Sequence, residues 1–105
     1  MAQFDVFRNP SAVSRQRFPY LVDVQSPYLE ELATRIVIPL GKASLFKGTA
    51  MKGLTPEILF QDELLLLLTP QISAIPRKQL KAPAGSLSYM RDDLVNALDF
   101  AIFGI

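Results

Sequence analysis

All eight prolines of this chain fall between Pro10 and Pro83, and none follows up to Ile105. Proline fixes φ and removes an N–H, so a segment in which it recurs at short intervals cannot hold a long helix. The proline-bearing part is therefore cut into short extended pieces, and only the proline-free end has room for several helical turns. The spacing predicts strands first, then one C-terminal helix. At 105 residues, 50% of them hydrophobic and 20% charged, the chain is expected to form one domain over 1–105. A domain of that size buries roughly 60–70% of its unfolded surface, so its core is thin and burial against a second subunit would help.

Within the proline-bearing part, Gln3 to Arg8 alternates, with Phe4 and Val6 on one side and Gln3 and Asp5 on the other, the period of a half-buried strand. Asn9 to Arg17, with Pro10, Ser11 and Ser14, reads as a loop. Tyr20–Gln25 is a second strand, and Arg35–Leu40 a third, closed by Pro39. Between them, Ser26 to Leu32 starts with a cap-like Ser-Pro and makes a helical turn or an irregular loop. Ile58–Phe60 and Glu63–Thr69 bracket Gln61-Asp62, a hairpin turn without the favoured glycine. Leu64 to Leu68 cannot alternate between a dry and a wet face, so this strand must be covered on both sides, by a helix or a second subunit, with a core strand the preferred reading. Ile72–Pro76 adds a short strand, and Ala82–Gly85 is a flexible linker into the last element.

From Leu87 onward the period becomes helical: Leu87, Met90, Leu94, Leu98, Ala101 and Ile105 are three or four residues apart. At ~100° per residue they lie within roughly 60° of Leu87, a stripe expected to face the sheet. Ser86 or Ser88 is the expected cap, with Asp92 and Asp93 near the start, where the macrodipole favours negative charge. Phe103 lies ~160° from Leu87 on the same wheel, beside Asn96, Asp99 and Phe100. It is expected to point away from the core if the helix runs that far, and into it if the helix stops early.

The composition narrows the chemistry. Cysteine and histidine are both absent, which removes thiolate nucleophiles, disulfides, the commonest general base and the commonest metal ligands. No phosphate-cradling glycine loop occurs, and the adjacent pairs Glu30-Glu31 and Asp92-Asp93 diverge in regular structure rather than share a proton or a metal. No enzyme activity, cofactor or metal is expected. No apolar run approaches the ~20 residues of a membrane span, and Met1–Val6 lacks the basic and apolar stretches of a signal peptide, so a cytoplasmic protein without membrane contact is expected.

The net charge of +1 gives no global attraction to nucleic acid. Two basic clusters remain, Arg8, Arg15, Arg17 and Arg77, Lys78, Lys81. They fit a solvated surface, single-stranded nucleic acid on a small barrel, or an acidic disordered peptide. At the C-terminus, Phe103 with Asn96 and Asp99 has the composition of a protein-binding hot spot.

Taken together, Phe4–Phe7, Tyr20-Leu21-Val22-Asp23-Val24-Gln25-Ser26, Thr34-Arg35-Ile36-Val37-Ile38-Pro39-Leu40 and the terminal Gly104-Ile105 resemble the CcdB family of bacterial toxins. A late Leu-Thr-Pro, an Ala-Ile-Pro and the final helix fall in the same order, so the resemblance spans nearly the whole chain. It implies a mainly β domain, an SH3-like barrel of antiparallel strands with a small second sheet and a long C-terminal helix, assembled as a homodimer. It further implies a toxin that binds the dimerisation region of the DNA gyrase A subunit and traps gyrase on cleaved DNA. A CcdA-like antitoxin would neutralise it through a disordered segment, and the pair would repress its own operon, touching DNA only as that complex.

The family's gyrase-binding positions carry over to Tyr28, Leu29, Asp99, Phe103, Gly104 and Ile105, and Arg8, Arg15 and Arg17 are the candidate antitoxin contacts. Phe103 stands where the best-known members have tryptophan, and Asp99 where they have asparagine. Losing ring area and the indole donor would weaken stacking on a gyrase arginine by ~1–2 kcal/mol. A non-toxic homologue that binds an antitoxin or regulates is the rival reading, and a nucleic-acid-binding barrel a weaker one.

Overall fold

The computed structural model describes residues 2–104. Seven strands, β1 (Asp5–Arg8), β2 (Tyr20–Asp23), β3 (Thr34–Lys42), β4 (Glu57–Phe60), β5 (Glu63–Leu67), β6 (Ser73–Pro76) and β7 (Gly85–Ser86), form one antiparallel sheet in the order β4-β5-β3-β2-β1-β7. The small extra sheet takes the form of a branch: β6 pairs with the first half of β3, beside the point where β5 takes over the same edge. Two helices complete the fold, the short α1 (Ala43–Phe46) and the C-terminal α2 (Arg91–Phe103).

The sheet curls until its two ends meet. Gln61, at the tip of the β4–β5 hairpin, donates from Nε2 to the Ala84 carbonyl at 3.1 Å, just before β7. Phe60 packs edge-to-face on Tyr20 with ring centroids 4.9 Å apart. It also fills the space over Gly85, where a Cβ would stand 2.7 Å from its ring. The result is a mainly β half-barrel with a C-terminal helix, as expected. Its concave side is lined by Val6, Val22, Ile38, Leu40, Ile58, Leu65 and Leu67, and the C-terminal segment closes it with Leu87, Leu94 and Ala97. Each such aliphatic side chain contributes about 1.5–3 kcal/mol on burial.

From Leu65 on, both faces of β5 are dry, as the leucine run requires; Leu64, expected to be covered too, is not. Leu65 and Leu67 enter the main core, while Leu66 and Leu68 turn outward under Phe46 of α1 and Phe18. The second cover is thus a short helix and the preceding loop. Leu64 remains exposed opposite Leu59. A third cluster, Phe7, Leu21, Val37 and Leu80, buries the outer face of β1–β3, so Phe7 is as dry as Phe4 and Val6.

The hairpin turn is confirmed without glycine: Gln61 and Asp62 both have left-handed φ, 49° and 64°, as the favoured two-residue hairpin turns require. Ser26 caps a 3₁₀ turn over Pro27–Leu29 with its Oγ accepting from the Tyr28 N–H at 3.2 Å.

Several expectations need correction. Pro39 does not close β3, which runs on to Lys42. The Pro39 carbonyl accepts from the Leu68 N–H at 3.0 Å, so its nitrogen faces the same edge, at the gap between β6 and β5 where no ladder carbonyl waits. Ala82–Gly85 is not simply a linker: Gly85 pairs with Val6 in β7, covering the edge of β1. α2 starts at Arg91, after a 3₁₀ turn at Ser88–Met90, and neither Ser86 nor Ser88 caps it; Ser86 Oγ instead accepts from the Ser88 N–H at 3.1 Å. Asp92 and Asp93 do occupy its first turn. The buried stripe ends at the half-buried Leu98, because Ala101 lies beyond the curl and is exposed. Ile105, assigned to that stripe and to the gyrase contact, lies outside the described residues.

Candidate functional site

The last turn of α2 overhangs its own core. Gly104, at φ 72°, ends the helix by donating its N–H to the Phe100 carbonyl at 3.0 Å, the left-handed stop that glycine makes without strain. Phe103 therefore sits in the final helical position and is 70% exposed, with Ile102 also exposed beside it. Phe100, one turn earlier, is less exposed, its ring 3.4 Å from where a Cβ on Gly53 would stand. Leu54, Thr69, Pro70 and Ile72 meet Phe100, Ala101 and Ile102 around a shallow cavity of about 340 Å³. Asp99 is half-buried and Asn96 exposed. Phe103 thus points to solvent because the helix runs its full length.

An apolar strip leads from this helix end across the sheet. Ile72, exposed at the cavity rim, precedes β6; two residues on, Ala74 pairs with the exposed Ile36 of β3.

Tyr28 and Leu29 occupy the 3₁₀ turn after β2, and Tyr28 is 94% exposed. This turn is not among the main contacts of α2, which leans on the Thr69–Gln71 turn and on Ser88–Met90. What holds it is a buried polar network. Asp23 and Arg35, 0% and 1% exposed, form an ion pair with Asp23 Oδ2 accepting from Nε at 2.9 Å and from Nη2 at 2.7 Å. Asp23 Oδ1 accepts from the Gln25 N–H at 3.0 Å. The buried Gln25 amide then reaches both ways, accepting from the Ile36 N–H at 3.0 Å and donating to the Leu29 carbonyl at 2.7 Å. Among the described residues, Nη1 of Arg35 is the one buried side-chain polar atom without a partner. Sequence reasoning missed this network, although opposite charges inside the apolar runs Val-Asp-Val and Thr-Arg-Ile-Val were its signal.

The arginines of the first basic cluster do different jobs. Arg15 is turned into its own loop, donating from Nε to the Asn9 carbonyl at 2.8 Å. Arg17 stacks over Phe18 and Phe46, 5.7 and 5.3 Å from their centroids. Arg8 stands exposed at the end of β1. Of the two basic clusters only Lys78 and Lys81 line an open groove of about 740 Å³; Arg8, Arg15, Arg17 and Arg77 are not part of its lining. Loop residues Asn9, Ser11 and Ser14 form one side, Lys78 and Lys81 the other, Leu21, Val37 and Ile75 the floor, and no carboxylate lines it. Among the described residues no cluster of three acidic side chains gathers to hold a metal, and no helix is long and apolar enough to cross a membrane.

The half-barrel thus presents an exposed aromatic on its last helical turn and, on a separate turn, the exposed Tyr28. The family model for the CcdB protein matches residues 3–104. The chain belongs to the CcdB family. That membership makes it a toxin of a toxin–antitoxin system. It also gives the ordered motifs a physical meaning: Val-Asp-Val-Gln-Ser holds the buried network and the cap of the Tyr28 turn, and Val-Ile-Pro-Leu carries β3 through the change of partner strand.

Proposed function

We propose that this CcdB-family chain acts in the cytoplasm as a homodimer that binds the dimerisation region of the DNA gyrase A subunit and traps gyrase on cleaved DNA. It works by binding and catalyses nothing itself. The observation that carries this reading is Phe103, an aromatic held 70% exposed on the last turn of a well-anchored helix. Holding such a side chain in water gains nothing for folding, whereas its face can stack on an arginine of a partner. The strip Ile36, Ala74, Ile72 and Ile102 supports a dimer contact next to it, and a two-fold there would place two Phe103 side chains on one composite surface. The groove lined by Lys78 and Lys81, with no carboxylate in it, suits an acidic disordered segment of a CcdA-like antitoxin, which together with the toxin would repress their operon.

Expression of the chain, wild-type and Phe103→Ala, in a gyrase-sensitive host tests the reading. The wild-type chain should arrest growth and the variant should not; unimpaired growth with wild-type, or equal killing by both, overturns it. The substitutions at Phe103 and Asp99 favour one second reading, a non-toxic family member kept for antitoxin binding or regulation. It would bind an antitoxin but no gyrase fragment.

A further inference from the structure

We propose that Gln25 and Arg77 are positioning residues that hold the Pro27–Leu29 turn, and with it Tyr28 and Leu29, in the conformation that the partner meets. The inference rests on the gyrase reading of that turn. β2 leaves the ladder after Asp23: the Val24 N–H still donates to the Ile36 carbonyl at 2.9 Å, but the Ile36 N–H has lost its strand partner. Gln25 Oε1 takes that place at 3.0 Å, while Nε2 of the same amide grips the Leu29 carbonyl at 2.7 Å. One buried side chain thus rivets the turn to the middle of the sheet. Gln25 satisfies the last ladder donor and the turn's carbonyl together, so neither bond can be lost without leaving a buried group unpaired.

Arg77 fixes the other side. Its N–H donates to the Ala33 carbonyl at 2.8 Å, and its Nη1 reaches back to the Glu30 carbonyl at 3.0 Å. The chain from Gln25 to Ala33 is therefore clamped at Leu29, Glu30 and Ala33 by two residues that present no surface at Tyr28. The turn's own bonds, from the Tyr28 N–H to Ser26 Oγ at 3.2 Å and from the Leu29 N–H to the Ser26 carbonyl at 3.0 Å, close it locally but do not tie it to the sheet, which Gln25 and Arg77 do. If the turn opened, only the fraction of molecules with it closed would bind, and the apparent Kd would rise by the inverse of that fraction.

Full-length Arg77→Met keeps the stem and removes the donor to Glu30, and Arg77→Lys restores a donor at the same place. Gln25→Glu keeps the acceptor for Ile36 and removes the donor to Leu29, which reappears only when the carboxyl is protonated. Each is compared with wild-type for amide hydrogen exchange at Leu29 and Leu32, thermal midpoint, and affinity for a gyrase A dimerisation fragment. Arg77→Met should exchange at least about tenfold faster at those amides and bind about five- to tenfold more weakly with an almost unchanged midpoint. Arg77→Lys should recover most of both. Gln25→Glu should show the same two losses at neutral pH and lessen them on acidification.

Unchanged exchange in both Arg77→Met and Gln25→Glu overturns the clamp whatever the binding data say. Faster exchange with unchanged affinity overturns its role in positioning. If the wild-type chain does not bind the fragment, the gyrase reading fails, and the exchange data still decide whether the clamp exists.

Discussion

Replacing Arg35 by methionine keeps the apolar stem and removes the charge at the centre of the sheet. Asp23 Oδ2 loses both of its donors, at 2.9 and 2.7 Å, in a place where neither residue reaches water. The carboxylate is left with a single bond, from the Gln25 N–H to Oδ1. Stranding one partner of a buried pair costs about 3–5 kcal/mol, a large share of the ~5–15 kcal/mol that stabilises a domain. With a urea slope near ~1.5 kcal/mol per M, the unfolding midpoint should fall by roughly 2–3 M. The measurement is urea unfolding followed by circular dichroism at several chain concentrations, so that dimer dissociation is separated from unfolding.

Adding Asp23→Leu to Arg35→Met removes the stranded charge as well, and the double variant should recover most of the loss, because apolar replacements of buried pairs are often near neutral. A loss below ~1 kcal/mol for Arg35→Met would refute the reasoning, as would a double variant no more stable than the single.

Phe103→Ala should leave the unfolding midpoint within ~0.5 kcal/mol of wild-type, since the ring is mostly in water, yet abolish growth arrest; a large stability loss would mean that the ring is packed. Gly85→Ala places a methyl 2.7 Å from the Phe60 ring at the closure of the half-barrel and should cost about 1–3 kcal/mol in thermal unfolding. Asp62→Gly, at φ 64° in the hairpin turn, should stabilise by up to about 1 kcal/mol, read as a raised thermal midpoint. Lys78→Glu with Lys81→Glu should weaken capture of an acidic peptide in the groove, most at low salt, with no change in gyrase binding.

Local pattern carried much of this structure. The Gln61-Asp62 turn, the strands at Ile58–Phe60 and Ile72–Pro76, and the helical period after Leu87 were legible because each depends on residues within a few positions of one another. The fate of the leucine run was legible in outline, since five apolar residues in a row demand two covers. Which cover was not legible: α1 and Phe18 approach from other parts of the chain, and the Ala43–Thr49 stretch has no marked period. Pro39 misled because a lone sequence cannot show that its edge of β3 changes partner there. Ala101 misled for a similar reason: a helical wheel fixes direction but not where the sheet ends beneath it.

In the candidate site, the angle of Phe103 on the wheel was readable, but whether the helix runs far enough to expose it was left open and was decided by Gly104 ending the helix just after it. The Gln25 and Arg77 clamp was not, because its bonds go to backbone carbonyls and an N–H that no side-chain pattern announces. The arginines 8, 15 and 17 looked alike in sequence and proved different in place. Arg15 serves its loop and Arg17 its aromatics, while Lys78 and Lys81 line the groove.

Titration of the purified chain against the isolated dimerisation fragment of a gyrase A subunit, by calorimetry at physiological salt, is the most direct measurement. Saturable binding that disappears in a folded Phe103→Ala variant is expected. No heat of binding from the wild-type chain at concentrations up to roughly 100 µM, where even a weak specific contact would register, would contradict gyrase as the target.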